Sequence, residues 1–366
     1  MATEVKERSV PKPVFTDAEA GAQEFPSWQS RSYNYFTPRK RRATVYEDVT
    51  VDVQPDPARH LSQGWVYAFA NGDAGYPQEW TALKSSNWHE FLDPNEEWEQ
   101  TIYRNNANVV RQISQNIEHG RTAHVFQAMN SAWVKVLQRH VFAWAHAEHG
   151  IGMHVYTPAQ RDAPTNMINN AICVGAVHKL RFAQDLILYN LALSEEVDGF
   201  EGAAHKQAWQ QDPIWQPTRE LVEQLTGIRD WGEQWFATAV VFEPLLGELF
   251  RSGFVMQVAA LHGDFVTPTI MGAGESDAAR EQRGARALFR MLTDDPEHGE
   301  ANKEILSSWL ASWNEAAVNA ARNLQPIWSQ PSEKVVRFED SFDRSQERFE
   351  GLLTDIGITA REGVPA

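Results

Sequence analysis

Cysteine is almost absent from this chain: Cys173 is the single one among 366 residues. A disulfide within the chain is therefore excluded, and a reducing cytoplasm is the predicted compartment. Cys173 lies in an apolar helical pattern. That position predicts a small buried side chain rather than a reactive thiol.

Long apolar runs are absent as well. The apolar stretch at residues 237–246 is interrupted by Glu243 and Pro244, and no run reaches the roughly 18 residues that a membrane span needs. The first six residues are polar and lack the apolar core of a signal peptide. The formal net charge of −16 argues against a nucleic-acid binder, because phosphate contacts need Lys and Arg. The sequence predicts a soluble protein that binds neither a membrane nor a nucleic acid.

The motifs of common enzyme classes are also absent. The chain has no Gly-x-Gly-x-x-Gly, no Gly-x-x-x-x-Gly-Lys-Ser/Thr and no Gly-x-Ser-x-Gly, the patterns of dinucleotide sites, phosphate loops and nucleophile turns. Cys173 has no base at a diagnostic spacing. The sequence therefore predicts no catalytic residue and no cofactor-binding residue in this chain.

Large aromatic residues, by contrast, are plentiful. The chain has 14 Trp and 18 Phe, and 42% of its residues are apolar. Such side chains dominate both protein cores and permanent interfaces. The composition therefore predicts a substantial core and a large surface to bury against a partner.

Residues 1–60 differ from the rest, since they are rich in Pro and charge and lack helical periodicity. A basic run, Arg39–Arg42, precedes an alternating stretch, Thr44–Val53, which predicts extended backbone. The region is interpreted as an extended N-terminal arm that wraps a partner; the alternative is a disordered tail. The basic run either meets an acidic groove on the partner or is solvated charge. The candidate partner-binding residues are the aromatic and basic ones: Trp28, Tyr33, Tyr35, Phe36, Arg39, Lys40, Arg41, Arg42 and Tyr46.

Residues 61–366 are predicted to form one helical domain. Asp93-Pro94 has the pattern of an N-cap followed by a first-turn proline, and Asp230 with Glu233 has that of a capping box. Pro244 predicts a kink or a local bulge inside its helix. Apolar periodicity predicts helices beginning at about 93 and covering about 122–149, 164–194, 200–211, 217–226, 230–262, 276–293, 297–324 and 331–356.

The first candidate chemical cluster surrounds the predicted helix end at Gly150, where His146, Glu148 and His149 precede His154. His and Glu at helical spacing can bind a metal. Glu148 and His149 are adjacent and point about 100° apart. A polar helix end is therefore the preferred interpretation, and no metal ligand is predicted.

Two further clusters lie inside the predicted bundle. His178, Arg181 and Asp185 share a helix face, which favours an intrahelical ion pair beside a satisfied histidine; the alternative is a polar functional site. Glu243 and Glu248 stand in apolar sequence without a histidine three residues on. Capping of the backbone freed at Pro244, or salt bridges between helices, is favoured over iron binding.

Long helices with polar residues on their faces indicate a ferritin-like bundle, yet no Glu-x-x-His occurs in the sequence. That pair holds iron in the di-iron carboxylate members of this architecture. The chain resembles the beta (small) hydroxylase subunits of soluble di-iron monooxygenases, closest to the propane and tetrahydrofuran branch. The resemblance covers most of the chain and is carried by the basic and extended stretch Arg39–Val53, the Asp93-Pro94 start with Trp98 and Tyr103, the helical run to Gly150, and the helix over 230–262.

The resemblance implies an all-α, ferritin-like bundle elaborated with accessory helices. It also implies an alpha2beta2 hydroxylase, with a reductase that carries NADH, FAD and an Fe-S cluster, and a small coupling protein. The di-iron centre would lie in the alpha subunit, held by four Glu and two His. This chain would then be a non-catalytic scaffold. None of the family's catalytic, cofactor-binding or metal-binding residues would have a counterpart in it, because they belong to alpha. Substrate choice would belong to alpha.

Two other functions remain open at this point. One is a stand-alone helical metal oxidase with an unorthodox site built from His146, Glu148, His149, Glu243 or His178. The other is a helical adaptor unrelated to oxygenases. Iron bound to the isolated chain would favour the metal oxidase over the structural subunit. A neighbouring gene that encodes two Glu-x-x-His motifs would count against the unrelated adaptor.

Overall fold

The structure, a computed structural model, describes residues 44–51 and 80–359. The regular elements in these two ranges are helical, which confirms the predicted all-α class, and no strand occurs within them. In chain order the longer elements are α1 (Glu99–Thr122), α2 (a run over 131–162), α3 (Asn166–Glu196), α4 (Ala204–Gln211), α5 (Gln216–Gly227), α6 (a run over 231–262), α7 (Val266–Thr293), α8 (Gly299–Asn323) and α9 (Phe338–Asp355).

Two of these runs mix helix types. Helix α2 joins Ser131–Val136, Leu137–Val141, Trp144–Gly150, Ile151–Tyr156 and Thr157–Asp162, of which the second and fourth are π-helical. Helix α6 joins Trp231–Trp235, the π-helical Phe236–Glu248 and Arg251–Val255, and the closing turns Met256–Val258 and Ala259–His262. Short helical turns are Glu47–Val51, Trp88–Glu90, Val125–Ala128 and Gln325–Ser329.

Helix α6 is the most buried element, and its start follows the prediction. The Asp230 carboxylate accepts hydrogen bonds from the backbone N–H of Gly232 and Glu233, at 2.8 and 3.1 Å. The predicted bulge at Pro244 is confirmed, because Phe236–Glu248 is π-helical and wholly buried. Wider turns of this kind accommodate a proline that cannot donate its hydrogen bond.

The bundle is built around two sets of helix contacts. Helix α6 packs against α7, α8 and α9, and helix α3 packs against α1, α2 and α7. Helices α2, α3, α6 and α7 therefore enclose a common centre, and the remaining helices cover its outside. No helix of the described ranges is long and apolar enough to span a bilayer.

The predicted helix start at Asp93 is wrong. The Asp93 carboxylate instead accepts a hydrogen bond from the Asn95 backbone N–H, at 3.0 Å, in a turn. Glu96 then takes a positive φ of 50°, which a helix does not allow. Helix α1 begins at Glu99, and the Thr101 hydroxyl caps its first turn by accepting from the Trp98 backbone N–H.

The predicted boundaries of the second helix are also wrong. Asn130 caps a helix beginning at Ser131, and the chain runs through Gly150 with helical dihedral angles. Gly150 serves close packing, because a Cβ placed there would lie 2.9 Å from Val222 of α5. Because glycine has no Cβ, helix α5 can pack closely against this position, and the helical run continues through it. Helices α7 and α9 differ from prediction too: α7 begins about ten residues earlier and α9 about seven residues later.

The extended backbone predicted for Thr44–Val53 is wrong where the structure describes it, since Glu47–Val51 forms a helical turn. The Thr44 hydroxyl accepts from the Glu47 backbone N–H, and Glu47 Oε2 accepts from the Thr44 N–H, at 3.2 and 2.8 Å. This reciprocal capping box outweighs the preference of the alternating residues for a strand.

The prediction that Cys173 is buried is wrong as well. Its side chain is exposed on α3. Neighbouring protein atoms still shield the thiol partly from water, and this partial burial raises its pKa. The apolar pattern on α3 therefore extends beyond the core of this chain.

Candidate functional site: a charge cluster at the centre of the bundle

The four central helices bring ionisable side chains together in the middle of the bundle. We call this group the central charge cluster; its members are Glu148 of α2, Lys179 of α3, Glu243 and Arg251 of α6, and Glu275 and Glu281 of α7. Five of the six are almost fully shielded from solvent, and Glu275 is the most exposed, at 23%. Charges so far from water are tolerated only when they are paired.

Arg251 makes three ion pairs with three different elements. Its guanidinium lies 2.6 Å from Glu243 Oε2, 3.1 Å from Glu148 Oε1 and 2.9 Å from Glu275 Oε1. Each guanidinium nitrogen therefore meets a carboxylate, which suits the planar fork of Arg. The pairing ties α6 to α2 and α7.

Lys179 is the second cation. Its ammonium donates to Glu243 Oε1, lies 3.1 Å from Glu148 Oε2 and stands 3.9 Å from Glu281 Oε2. Glu148 and Glu243 thus each pair with both Lys179 and Arg251. Glu148 also accepts a hydrogen bond from the Trp144 indole, at 2.6 Å.

The two cations decide the charge of the carboxylates. Burial opposes ionisation of Glu243, but Arg251 and Lys179 outweigh it and lower its pKa to about 2. Burial, and then the nearby Glu148 charge, raise the pKa of Glu281 well above its ordinary value. The Glu281 Oε1 atom is buried and has no hydrogen-bond partner among the described residues.

A small residue makes room for this cluster. A Cβ at Gly247 would lie 2.6 Å from Glu243 Oε2 and 2.8 Å from an Arg251 nitrogen. Gly247 therefore lets the carboxylate and guanidinium lie directly over the α6 backbone. The π-helical turn around Pro244 places Glu243 and Arg251 on the same inward side.

The cluster does not fit a di-iron centre. Such a centre needs inward Glu residues and two Glu-x-x-His pairs, whereas Lys179 and Arg251 lie between these carboxylates. The residue three positions after Lys179 is Phe182, and the one after Glu281 is Gly284. Across residues 44–51 and 80–359, no group of three or more His, Cys, Asp or Glu has an arrangement that could hold a metal ion.

The intrahelical ion pair predicted for Arg181 and Asp185, beside His178, is confirmed. Arg181 pairs with Asp185 on the same helix and also with Asp277 of α7. His178 Nε2 lies 3.7 Å from Asp277. Burial lowers the pKa of His178 to about 4 and raises the pKa of Asp185 to about 6. Arg181 therefore joins α3 to α7 through its ion pair with Asp277, while its pair with Asp185 stays within α3.

The histidines near Gly150 do not form one site. His146 Nε2 lies 3.0 Å from His205 Nδ1 of α4, and the two rings stack. The His149 ring instead contacts His154 edge to face. Glu148 belongs to the central charge cluster on a different side of the helix, as the angular separation of adjacent helical residues requires.

The remaining sequence candidates have structural partners or lie outside the described ranges. Glu248 pairs with Arg348 of α9 and Glu243 pairs with Lys179 of α3, so salt bridges between helices are confirmed for both glutamates. Tyr46 is buried, and its hydroxyl accepts from the Asp93 backbone N–H at 3.1 Å. A role for Tyr46 in partner binding stays a prediction. The other candidate partner-binding residues, Trp28 through Arg42, lie outside the described residues.

Sequence reasoning missed Lys179, Arg251 and Glu281. Each is a charged residue at a position that helical periodicity assigns to an inward face. A search for charges on buried faces, rather than for metal-binding motifs, would have found them. The pairs Lys179–Glu243 and Glu148–Arg251 join residues 64 and 103 positions apart in the sequence, so the pairing itself was not visible.

The burial of His140 predicts that the folded chain loses stability at low pH. It is 1% exposed, its Nδ1 accepts from the Trp215 indole at 3.0 Å, and its Nε2 lies 2.9 Å from Gln330 Oε1. Burial is the main reason that its pKa falls to about 4. Between pH 6.5 and 4 the unfolded chain binds a proton that the folded chain does not, so stability is lost as pH falls through this window.

We expect this histidine to remove at most about 2 kcal/mol of stability at pH 5. The measurement is the change in Tm between about pH 7.5 and about pH 5. His140→Gln should show a smaller change than the wild type, and the exposed His119→Gln should behave like the wild type. Equal changes in all three proteins would show that His140 does not contribute.

Comparison with known proteins shows which family the chain belongs to. The family model for methane/phenol/alkene hydroxylases matches residues 65–296, more than half of the chain. The small subunit of the hydroxylase component of propane 2-monooxygenase from Rhodococcus jostii (strain RHA1) is 58% identical over 355 residues, covering 97% of this chain and 96% of that protein. Its counterpart from Gordonia sp. (strain TY-5) is 57% identical over 357 residues, covering 98% and 97%.

A solved structure agrees on the fold. A chain of the xenon-pressurised phenol hydroxylase from Pseudomonas sp. OX1 superposes with a TM-score of 0.73 at 19% identity, covering 90% of this chain and 99% of that one. The ferritin-like fold prediction is thereby confirmed. An adaptor unrelated to oxygenases is excluded. The chain belongs to the methane/phenol/alkene hydroxylase family, as a small (beta) hydroxylase subunit of a soluble di-iron monooxygenase.

Proposed function

We propose that this chain is the non-catalytic structural subunit of an alpha2beta2 hydroxylase that inserts one oxygen atom from O2 into a small hydrocarbon such as propane. The observation that carries the proposal is the pairing of Lys179 and Arg251 with the inward carboxylates of the bundle. Two protein cations hold together the helices that bind metal ions in catalytic members of the architecture. The names of the most similar relatives support propane as the substrate class.

The remaining parts of the system follow from the same proposal. The di-iron centre belongs to the alpha subunit, and electrons come from NADH through a reductase with FAD and an Fe-S cluster. A small coupling protein completes the system, and the assembly is cytoplasmic. The single cysteine in 366 residues supports a reducing compartment.

Within the chain we propose two parts with different tasks. Residues 61–366 form the helical body, and residues 1–60 form an arm that wraps alpha. The aromatic and basic residues of the arm, from Trp28 to Tyr46, would make the contacts. A segment that orders on binding covers much surface with few residues. The capping box at Thr44 and Glu47 shapes the turn by which this arm meets the body.

Iron content tests the proposal against a stand-alone metal oxidase. We expect the tagged chain, purified from its host, to carry a large subunit with two Glu-x-x-His motifs in equal ratio, and about two irons per alpha–beta pair. The chain purified alone should hold no stoichiometric iron. Mass spectrometry and metal analysis provide both readouts. A lone chain that holds about two irons would overturn the proposal and return attention to His146, Glu148 and His149.

A further inference from the structure

A small cavity lies between α3, α6, α7 and the segment that precedes α1. We call it the α3–α7 cavity; its lining includes Asp93, Glu97, His178, Trp235, Glu281 and Gly284. It leaves about 10 Å³ for the centre of a water-sized group, which is about the room that one such group needs. Asn95, Glu97 and Arg280 also line an outer polar cleft of about 360 Å³. The cavity therefore has room for one small occupant, and a wider cleft adjoins it.

Two buried carboxylate oxygens at this cavity, Glu97 Oε2 and Glu281 Oε1, have no hydrogen-bond partner within the described ranges. The other oxygen of each residue faces a cation, since Glu97 Oε1 lies 3.5 Å from Arg280 and Glu281 Oε2 lies 3.9 Å from Lys179. The two glutamate side chains are only 6% and 5% exposed. Polar atoms buried to this degree normally have partners, and leaving one unpaired is costly. Both oxygens therefore require a hydrogen-bond donor from outside the described residues.

The ion pairs around the cavity contain more carboxylates than cations. The central charge cluster has four carboxylates and two cations. The pairs of Arg181 and Arg280 add three carboxylates to those two arginines. Burial raises the pKa of Asp93, Glu97 and Glu281, as it does for carboxylates that too few cations compensate. A water molecule could donate to both unpaired oxygens, but it would leave this surplus of negative charge in place.

The occupant that fits is a cation that donates hydrogen bonds. No group of three or more His, Cys, Asp or Glu in the described part of the chain could hold a metal ion. An ammonium group has about the size of a water molecule, carries the missing positive charge and directs N–H donors in several directions. We propose that the α3–α7 cavity binds a single ammonium group, which donates to Glu97 Oε2 and Glu281 Oε1. The ligand is either the free ammonium ion or the head of a primary amine whose chain lies in the outer cleft.

A glycine keeps the cavity open. A Cβ at Gly284 of α7 would lie 3.6 Å from Asp93 Oδ1 and 3.7 Å from the Trp235 ring, which are ordinary contacts. Both neighbours line the cavity, so a methyl group at this position would fill it without a clash. Glycine inside a helix lowers its stability relative to alanine. The residue at position 284 therefore preserves the space at the expense of the helix.

Thermal unfolding of the full chain at neutral pH, with increasing ammonium chloride, tests the site. Potassium chloride is the matched control, because the potassium ion has a similar size and the same charge but donates no hydrogen bond. Ammonium should raise the Tm in a saturable manner, by at least ~2 °C more than potassium does. Equal shifts with the two salts would show general screening of charge and would overturn the proposal.

Methylammonium chloride distinguishes the two forms of the ligand. An affinity equal to that of ammonium would identify the head of a primary amine, because the methyl group then points into the outer cleft. A weaker affinity would identify the free ion. Equilibrium dialysis with isotopically labelled ammonium should find a single bound ion per chain, and the absence of saturable binding would refute the site.

Two glycine variants on the same helix separate the cavity from the stability of α7. Gly284→Ala should raise the Tm without ammonium, because alanine favours the helix, yet it should abolish the ammonium-dependent shift by filling the cavity. Gly272→Ala, whose Cβ would meet only Met256 at 3.8 Å, should keep the full shift. A folded Gly284→Ala chain that still responds to ammonium would contradict the proposal.

A pair of carboxylate variants tests the ligands themselves. Glu97→Gln should weaken ammonium binding at least ~10-fold, because it removes a charged acceptor from the cavity. Glu275→Gln removes a carboxylate that pairs with Arg251 outside the cavity, and it should change the affinity less than about threefold. Circular dichroism checks that both variants are folded. An equal loss in the two variants would assign the ammonium effect to the overall surplus of charge, and the cavity site would be wrong.

Discussion

Arg251→Met is expected to lower the free energy of unfolding by about 3–5 kcal/mol. The methionine fills a similar volume but leaves Glu148 and Glu243 with one cation between them, inside a region that excludes water. An unpaired buried carboxylate costs far more than the lost attraction of a surface pair. Denaturant unfolding of the purified chain measures the change.

Two controls separate charge from volume. Arg290→Met removes an exposed pair with Asp294, whose side chains are 49% and 54% exposed, and should cost less than about 1 kcal/mol. The double variant Arg251→Met/Glu243→Gln should be more stable than Arg251→Met, because it neutralises one of the stranded carboxylates. If the single and double variants lose the same free energy of unfolding, packing and not charge is responsible.

Removal of residues 1–43 is expected to weaken binding of the large subunit at least ~100-fold, or about 2.8 kcal/mol. The cut is placed before Thr44 because Tyr46, Glu47 and Thr50 are buried against the body and their loss would destabilise it directly. The Tm of the truncated chain should stay within a few degrees of the full chain, since the deleted residues precede the described body. Titration calorimetry and thermal unfolding provide the two readouts.

A charge-only variant distinguishes the two interpretations of the basic run. Replacement of Arg39, Lys40, Arg41 and Arg42 by Ser should weaken binding, and reduce its dependence on salt, if these residues meet an acidic groove. Unchanged binding in this variant would assign the arm's contribution to its aromatic residues. Normal binding of the 1–43 deletion would refute the proposed role of the arm altogether.

Local signals in the sequence were sufficient where a helix end is made by its own residues. Asp230 accepts from the backbone of the following turn, so its capping role was readable without the fold. The range predicted for α3 from apolar periodicity, 164–194, differs from Asn166–Glu196 by two residues at each end, and in the structure Thr165 caps this helix by accepting from the Ile168 N–H, at 3.3 Å. The π-helical bulge at Pro244 follows from a hydrogen bond that proline cannot donate.

Local signals failed where a neighbour in space made the decision. Gly150 has the sequence appearance of a helix end, but its missing Cβ is needed by Val222 of α5. Cys173 has the periodicity of a core residue, and nothing in the periodicity says whether a helix of this chain covers it. At Thr44 and Glu47 the prediction followed the alternating pattern, whereas the structure forms the capping box of these two residues.

The sequence by itself determined the helical class, the family, the capped start of α6, and the absence of Glu-x-x-His pairs. These properties depend on residues close in the chain or on the identity of residues alone. Only the tertiary structure decided that Lys179 and Arg251 meet the same two carboxylates, Glu148 and Glu243, and that Ile187 and Leu191 of α3 stay exposed. The physical reason is that ion pairing and burial depend on which helix faces which, and that arrangement is fixed by packing among residues far apart in the sequence.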